Sequence, residues 1–201
     1  MTQIEFLLTR YQPFDWRESH DLDRLRQHAA KAKRSLYQRI PGQPSVVASA
    51  VVVNPDMTRI LLMHHLIHKF HKQFGGHADG NTDLAAVATD ELRQESGICA
   101  APVSRDPFDV IIWRMVSRTK NGIFYPQHDM FDIAFPFIVP DDVKFKPNAR
   151  EGVDIKWMPL TEYRDMKFDP DNTTLKLNPH EPEYNRRIYK KIMLLKERMG
   201  K

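Results

Sequence analysis

The chain has a single cysteine, Cys99, in 201 residues. An internal disulfide is therefore excluded, and a reducing compartment is the expectation. Among apolar neighbours, Cys99 itself reads as a buried, inert thiol. No uninterrupted apolar run approaches the roughly 18–20 residues that a membrane-spanning helix needs. The opening MTQIEFLLTRYQPFDW lacks a basic stretch followed by a long apolar one, so no secretory signal is apparent. Together these features lead to a cytoplasmic expectation with no membrane partner. Repeats and low-complexity tracts are absent as well.

A globular composition is present: 41% hydrophobic and 28% charged residues, with a formal net charge of +4. The sequence pI is near 9.1. Much of the basicity sits at the end, where residues 186–201 hold seven Lys or Arg against Glu197 alone. Such a tail could meet RNA or anionic lipid. Tyr184, Ile188, Ile192, Leu195 and Met199 nevertheless form a helical stripe. The expected arrangement is a helix packed on the domain with its charges pointing outward.

Residues 1–18 read as an extended arm with Tyr11, Phe14 and Trp16 as anchors. Ser19 would cap a helix running to about Arg39, and Pro41, Gly42 and Pro44 would stop it. Strands are expected over Val46–Val53, Arg59–His64, Phe108–Val116, Met130–Val139 and Gly152–Met158. Pro136 suggests an edge position or a bulge. Ser117–Gln127 reads as a loop, Thr161 as a cap for a helix opening at Glu162, and Lys167–Pro179 as irregular. The implied units are 1–44, an N-terminal arm and helix; 45–165, a mixed α/β domain; and 166–201, a C-terminal extension ending in a basic amphipathic helix.

The most informative stretch is GGHADGNTDLAAVATDELRQESGI, from Gly75 to Ile98. It reads as a glycine-rich turn that runs into a helix. At about 100° per residue, Glu91 and Glu95 fall within about 20° of Leu84, inside the apolar stripe of Val87, Ala88 and Leu92. Two inward glutamates one turn apart are costly without a partner. Hard oxygen ligands at this spacing suit a divalent metal of the Mg²⁺ type. Gly97 looks like the C-terminal cap of the helix.

This stretch resembles the motif of the Nudix hydrolases: Gly, five residues, Glu, seven residues, then Arg-Glu-apolar-x-Glu-Glu-x-Gly-apolar. Counting from Gly76, Glu91, Leu92, Glu95, Gly97 and Ile98 match. Thr82, Asp90 and Gln94 stand where the family has Glu, Arg and Glu. The flanks RILLMHH (Arg59–His65), HDMFDIAF with His128 and Asp132, and DIKWMPL extend the resemblance over about residues 45–163.

It implies a Nudix-type α/β/α sandwich with a mixed sheet, here with N-terminal and C-terminal helical extensions. It also implies an enzyme acting on phosphoric anhydrides: Mg²⁺-dependent, with Mn²⁺ as a substitute, cleaving the pyrophosphate bond of a nucleoside diphosphate linked to another moiety. The metal ligands would be Glu91, Glu95, Gln94 and a carbonyl at Gly75 or Gly76. Gly75, Gly76 and His77 would meet substrate, and Glu91, Glu95 and Glu151 form the catalytic set, with Glu91 or Glu151 as base. The changed positions support an alternative, a Nudix-fold module that binds a nucleotide or partner without turnover. A Thr82–Asp90 hydrogen bond would replace the family's loop-to-helix ion pair.

Two further sites have both a bland and a functional reading. His64, His65, His68, His71 and His77 crowd together: a zinc site is conceivable because His64 and His68 share a face if that segment is helical, or these side chains line the substrate mouth with Lys69 and Lys72. Asp79 reads as a local turn residue, and Asp132 as a structural partner for an arginine. Neither substrate identity nor oligomeric state follows from the residues.

Overall fold

The computed structural model describes residues 3–66, 69–120, 122–148, 152–167, 169, 171–178 and 180–200. Helix α1 (Gln3–Thr9) and helix α2 (Trp16–Ala32) open the chain, followed by a 3-10 turn over Lys33–Tyr37. Strands β1 (Ser45–Val53), β2 (Arg59–His65), β3 (Phe70–Lys72) and β4 (Phe74–His77) precede helix α3 (Leu84–Ser96). Then come β5 (Asp109–Met115), β6 (Arg118–Lys120), β7 (Ile123–Tyr125), β8 (His128–Ile138) and β9 (Gly152–Pro159). Helices α4 (Leu160–Arg164), α5 (Thr173–Leu177) and α6 (Glu181–Arg198) close the chain.

Seven strands form a mixed sheet in the order β3-β2-β1-β8-β5, with β4 also paired to β1 and β9 to β2. The β1–β8 pair is parallel and the other pairs are antiparallel. Each residue of β1 is buried, because apolar layers cover both faces of this central strand. On one face Val46, Ala48, Phe131 and Ile133 pack with Leu22 and Leu25 of α2 and Leu84, Ala88 and Leu92 of α3. On the other, Val51, Leu62 and Ile111 pack with Tyr163 of α4 and Tyr184, Ile188 and Ile192 of α6. The result is the expected α/β/α sandwich. Among the described residues no helix is long and apolar enough to cross a membrane.

Several sequence expectations are corrected. The N-terminal arm is not wholly extended: α1 buries Ile4 and Leu7. Asp15, not Ser19, caps α2, accepting from Glu18 N at 2.8 Å. Ser117–Gln127 holds the β6–β7 hairpin, and Lys167–Pro179 holds α5. Helix α4 begins after Pro159 without a side-chain cap, one residue before Thr161. Cys99 is exposed, because the chain leaves α3 through Gly97 and turns Ile98, not Cys99, into the core.

Pro136 lies in β8, an interior strand. Its carbonyl accepts from Val103 N at 2.8 Å, beyond the last β5–β8 pair, Asp109–Ala134. A strand residue turns its N and O to the same edge, so the donor that proline lacks faces a side where β5 has ended.

The largest departure is in α6, which does not turn all its charges outward. Arg187 and Lys191 are buried. Arg187 grips Asp109 with two parallel bonds, Nε to Oδ1 at 2.8 Å and Nη2 to Oδ2 at 2.9 Å. Lys191 Nζ reaches Glu18 Oε1 at 2.6 Å, Asp109 Oδ1 at 2.7 Å, the Tyr11 hydroxyl at 2.9 Å and the Phe108 carbonyl at 2.8 Å. Burial alone would raise the pKa of Asp109, but Lys191 and Arg187 outweigh it and hold the carboxyl below its usual range. Glu18 goes the other way, raised by burial and by Asp109, with Lys191 offsetting only part. Helical periodicity led to outward charges here because it could not supply the buried partners, which come from elements far along the chain.

Removing one partner from this cluster leaves a buried cation uncompensated. Asp109→Ala is expected to destabilise the protein by about 3–5 kcal/mol. Arg26→Ala breaks an exposed pair with Asp23 and should cost about 1 kcal/mol or less. Urea denaturation of both variants against wild type checks the contrast, and equal losses would contradict it.

Candidate functional site

Gly75 and Gly76 lie within β4, where they pair with Ser49 and Ala48 of β1, and not in a turn. Close approach, not φ, explains them, for neither has a positive φ. A Cβ on Gly75 would stand 2.5 Å from Ser49 Oγ and 2.7 Å from the Ala48 carbonyl. A Cβ on Gly76 would overlap the Glu91 carboxylate, which occupies that space. The turn itself comes later, at Asp79 (φ 45°) and Gly80 (φ 91°). An aspartate tolerates this left-handed geometry better than most residues. Asp79 does not bond locally as expected. Arg39 holds it from outside, with Nη2 to Oδ2 at 2.8 Å and Nε to Oδ1 at 3.2 Å.

Helix α3 is fixed at both ends. Asp83 caps its start, accepting from Ala86 N at 3.1 Å, and pairs with Arg105 at 2.5 Å. Burial opposes ionisation of Asp83, but the Ala86 N–H and Arg105 prevail and hold its pKa below the usual value. At the other end Gly97 adopts φ 75° and donates to the Arg93 carbonyl at 2.9 Å, as the cap reading required. Lys146 N and Asn148 N donate to the Ser96 and Glu95 carbonyls at 2.7 and 3.0 Å. Asp90 pairs with Arg93 at 3.3 Å in place of the expected bond to Thr82, because it sits on the exposed side of the helix.

Between these ends the two glutamates lie over the glycine strand. Glu95 is 2% exposed and its Oε2 accepts from Gly75 N at 2.9 Å. Glu91, half-buried, packs against Gly76. Glu91, Glu95, Gly75 and Gly76 are thus brought together. Gln94 is exposed on the same helix, apart from that inward pair. Glu151 lies outside the described residues, as does His68. His77 follows on β4, half-buried, with Nδ1 3.4 Å from Ser45 Oγ.

Among the described residues, no group of three or more His, Cys, Asp or Glu side chains gathers as a metal site. The histidine segment is a β2–β3 hairpin, not a helix, so the helical zinc arrangement does not form. His71 Nε2 lies 3.0 Å from Asp154 Oδ2. Burial lowers the pKa values of His65 and His77 to about 3, with Lys72 adding to the effect at His65 and Arg39 at His77. Both imidazoles are neutral near pH 7 and present no positive charge to a phosphate.

Asp132 is the residue that sequence reasoning misjudged. Among the described residues it partners no arginine. Its Oδ2 accepts from Ser49 Oγ at 2.8 Å and from Trp113 Nε1 at 3.2 Å, while Oδ1 is buried without a hydrogen bond. Burial raises its pKa to about 6 against the lowering effect of the Ser49 bond. Ser49 pairs with Gly75, so the carboxyl stands directly behind the glycine strand. Polar Ser49 in the apolar run SVVASAVVV and Asp132 in MFDIAF were the available signals, and each pointed to a missing partner that was the other.

No family model and no curated protein matches this chain. Solved structures do. A MutT protein from Methanosarcina mazei Go1 superposes with a TM-score of 0.51 at 16% identity, covering 74% of this chain and 97% of its own. The chain has the Nudix fold. The dihydroneopterin triphosphate pyrophosphohydrolase of E. coli gives 0.47 at 14% identity over 63% of this chain and 88% of its own. An Ap4A hydrolase from C. elegans gives 0.45 at 16% over 75% and 96%. Helix α3 and strand β4 hold the stretch Gly75–Ile98 that resembles the Nudix motif.

The raised pKa of Asp132 has a stability consequence of definite sign. An acid whose folded pKa lies above its unfolded value destabilises the fold as pH rises from about 4 to about 6, and by a constant amount above that. A shift from 3.8 to about 6 corresponds to a cost on the order of 3 kcal/mol above pH 6. Asp132→Asn keeps an acceptor for Ser49 and Trp113 and carries no charge. Its melting temperature relative to wild type should therefore rise between pH 4 and pH 7. A pH-independent difference would show that the carboxyl titrates normally.

Proposed function

We propose that the chain is a metal-dependent hydrolase of phosphoric anhydrides. It would cleave the pyrophosphate bond of a nucleoside diphosphate linked to another moiety, releasing a monophosphate and a second phosphorylated product. The observation that carries this reading is the pair Glu91–Glu95, seated inward over Gly75 and Gly76 on a motif helix pinned at both ends. An apolar structural role would not keep two carboxylates one turn apart against the core.

The donor set fits Mg²⁺, with Mn²⁺ as a substitute. Mg²⁺ takes one or two carboxylates and completes its shell with water and substrate phosphate, so two protein carboxylates plus a backbone carbonyl suffice. When bound, the ion would neutralise charge on the phosphate being attacked and act as a Lewis acid. Glu91 and Glu95 would hold it, with a carbonyl at Gly75 or Gly76, and Gln94 would reach it as a neutral oxygen ligand from the rim.

The protein's own contribution is positioning. The Gly75 N–H orients Glu95 through Oε2. The absence of side chains at positions 75 and 76 lets Glu91 lie against the strand, where it is the motif candidate for general base. His77, held neutral by burial, would donate or accept a hydrogen bond to substrate without adding charge.

Two variants test the reading on a nucleoside diphosphate panel with Mg²⁺ and Mn²⁺. Glu95→Gln should lower turnover at least roughly a hundredfold, since even partners of metal ligands are worth 10–100-fold. In metal-free buffer its melting temperature should be unchanged or higher, because one of two repelling carboxylates is gone. Wild-type turnover in this variant would remove Glu95 from the site. Gln94→Glu should tighten Mg²⁺ binding and raise turnover at limiting metal. Tighter binding with turnover at background would instead identify a binding module.

A further inference from the structure

A second polar cleft lies away from the motif helix, where α2, β5 and α5 meet. It encloses about 430 Å³, and neither Glu91 nor Glu95 lines it. Cations face it from three elements: Arg17 and Arg24 of α2, Arg114 of β5 and Lys176 of α5. A smaller cleft of about 220 Å³ shares Arg17 with it and continues toward α6, adding Arg186 and Lys190 beside the exposed Trp16. The two linings together carry seven Lys or Arg against four carboxylates, and with Arg187 set aside because it is held by Asp109, cations still outnumber acids.

The cations are unequally committed. Arg24 and Arg114 both bind Asp129, which is nearly buried between them. This trio is structural and leaves one positive charge over. Asp21 accepts from Ile112 N at 3.1 Å and faces Arg17 Nε only at 3.8 Å. Arg17 Nε is buried and makes no hydrogen bond. An acceptor entering the cleft would satisfy this buried donor. Lys176 is paired with Asp171 at 3.2 Å but is 58% exposed, a bond a stronger anion displaces readily. Trp113 adds an aromatic wall, its orientation fixed by its bond to Asp132.

We propose that this cleft binds a phosphorylated ligand of nucleotide size, with its phosphate between Arg17 and Lys176. The volume suits one nucleotide and the lining chemistry suits an anion: guanidinium groups that fork onto phosphate oxygens and a mobile ammonium as a point charge. The proposal does not depend on the hydrolase reading, because the site is formed by α2, β5 and α5 and would fill without metal.

The test uses the full-length protein with ADP as probe, in EDTA so that the motif glutamates hold no metal, read by calorimetry and by tryptophan fluorescence. Saturable binding is expected. It should weaken at least tenfold in Lys176→Glu and in Arg17→Ala, and stay unchanged in Glu95→Gln. Lys176 is exposed, so Lys176→Glu remains informative even if Arg17→Ala loses stability. Absence of saturable binding would overturn the proposal, as would binding indifferent to both cation variants. Loss of binding in Glu95→Gln would overturn it too, by placing the nucleotide at the motif helix. That result would leave the hydrolase reading standing.

Discussion

The Arg187–Asp109 pair, with Lys191 and Glu18 beside it, is the contact that makes one body of three distant parts of the chain. Asp109 begins β5, Glu18 lies in the first turn of α2, and both cations come from α6. Two carboxylates and two cations balance, and the Tyr11 hydroxyl completes the set, its pKa raised by burial and by Asp109. A buried ionic cluster of this kind adds less net stability than an apolar core of the same volume. What it adds is register. An apolar α6 could slide along the sheet, whereas a bidentate guanidinium on a buried carboxylate accepts one position only.

Glu18 also helps to solve a second problem. β5 ends the sheet and offers its outward N–H groups to any passing strand. Here Glu18 accepts from Val110 N at 3.0 Å and Asp21 from Ile112 N at 3.1 Å. Asn178 both accepts from Arg114 N at 2.7 Å and donates to its carbonyl at 2.9 Å. Three side chains imitate a neighbouring strand at alternate residues, so the edge is closed without one. β5 then becomes a firm support for Trp113, which orients Asp132 and through it Ser49 behind the glycine strand. The extensions outside the motif region therefore reach the candidate site through this line of contacts.

How much of this was legible in the sequence depended on the range of the interaction involved. The long strands and the inward glutamates followed from local periodicity, the sandwich from the family resemblance, and they stand. Gly97 as a cap followed from a one-residue rule. Arg187, Lys191, Asp132 and Asp79 did not follow, since each is explained by a residue 40 to 173 positions away. A polar residue in an apolar stripe announces that a partner exists, but periodicity cannot say which one. Glycines 75 and 76 show a related limit: their presence was legible, but the reason, close approach to β1 and to Glu91 in place of a turn, was not.

The departures of the motif at Thr82 and Asp90 become intelligible in these terms. The family's Glu–Arg pair ties the loop before the motif helix to the helix itself, and this chain has neither residue. The loop is instead fastened outward at two points, Asp79 to Arg39 beyond the 3-10 turn and Asp83 to Arg105 in the segment before β5. Both anchors are arginine–aspartate pairs on neighbouring elements, so the loop gains from the surrounding domain the restraint it lacks from its own helix. Thr82 and Asp90 are then free of that duty, and Asp90 is left as an exposed i, i+3 partner for Arg93. Loss of the internal tie does not by itself loosen the site, because Glu95 is still held from below by Gly75 N and α3 is still stopped at both ends. Gln94 differs from Glu91 and Glu95 in kind: it is exposed on the same helix, so its neutral amide stands outside the pair that the glycine strand receives.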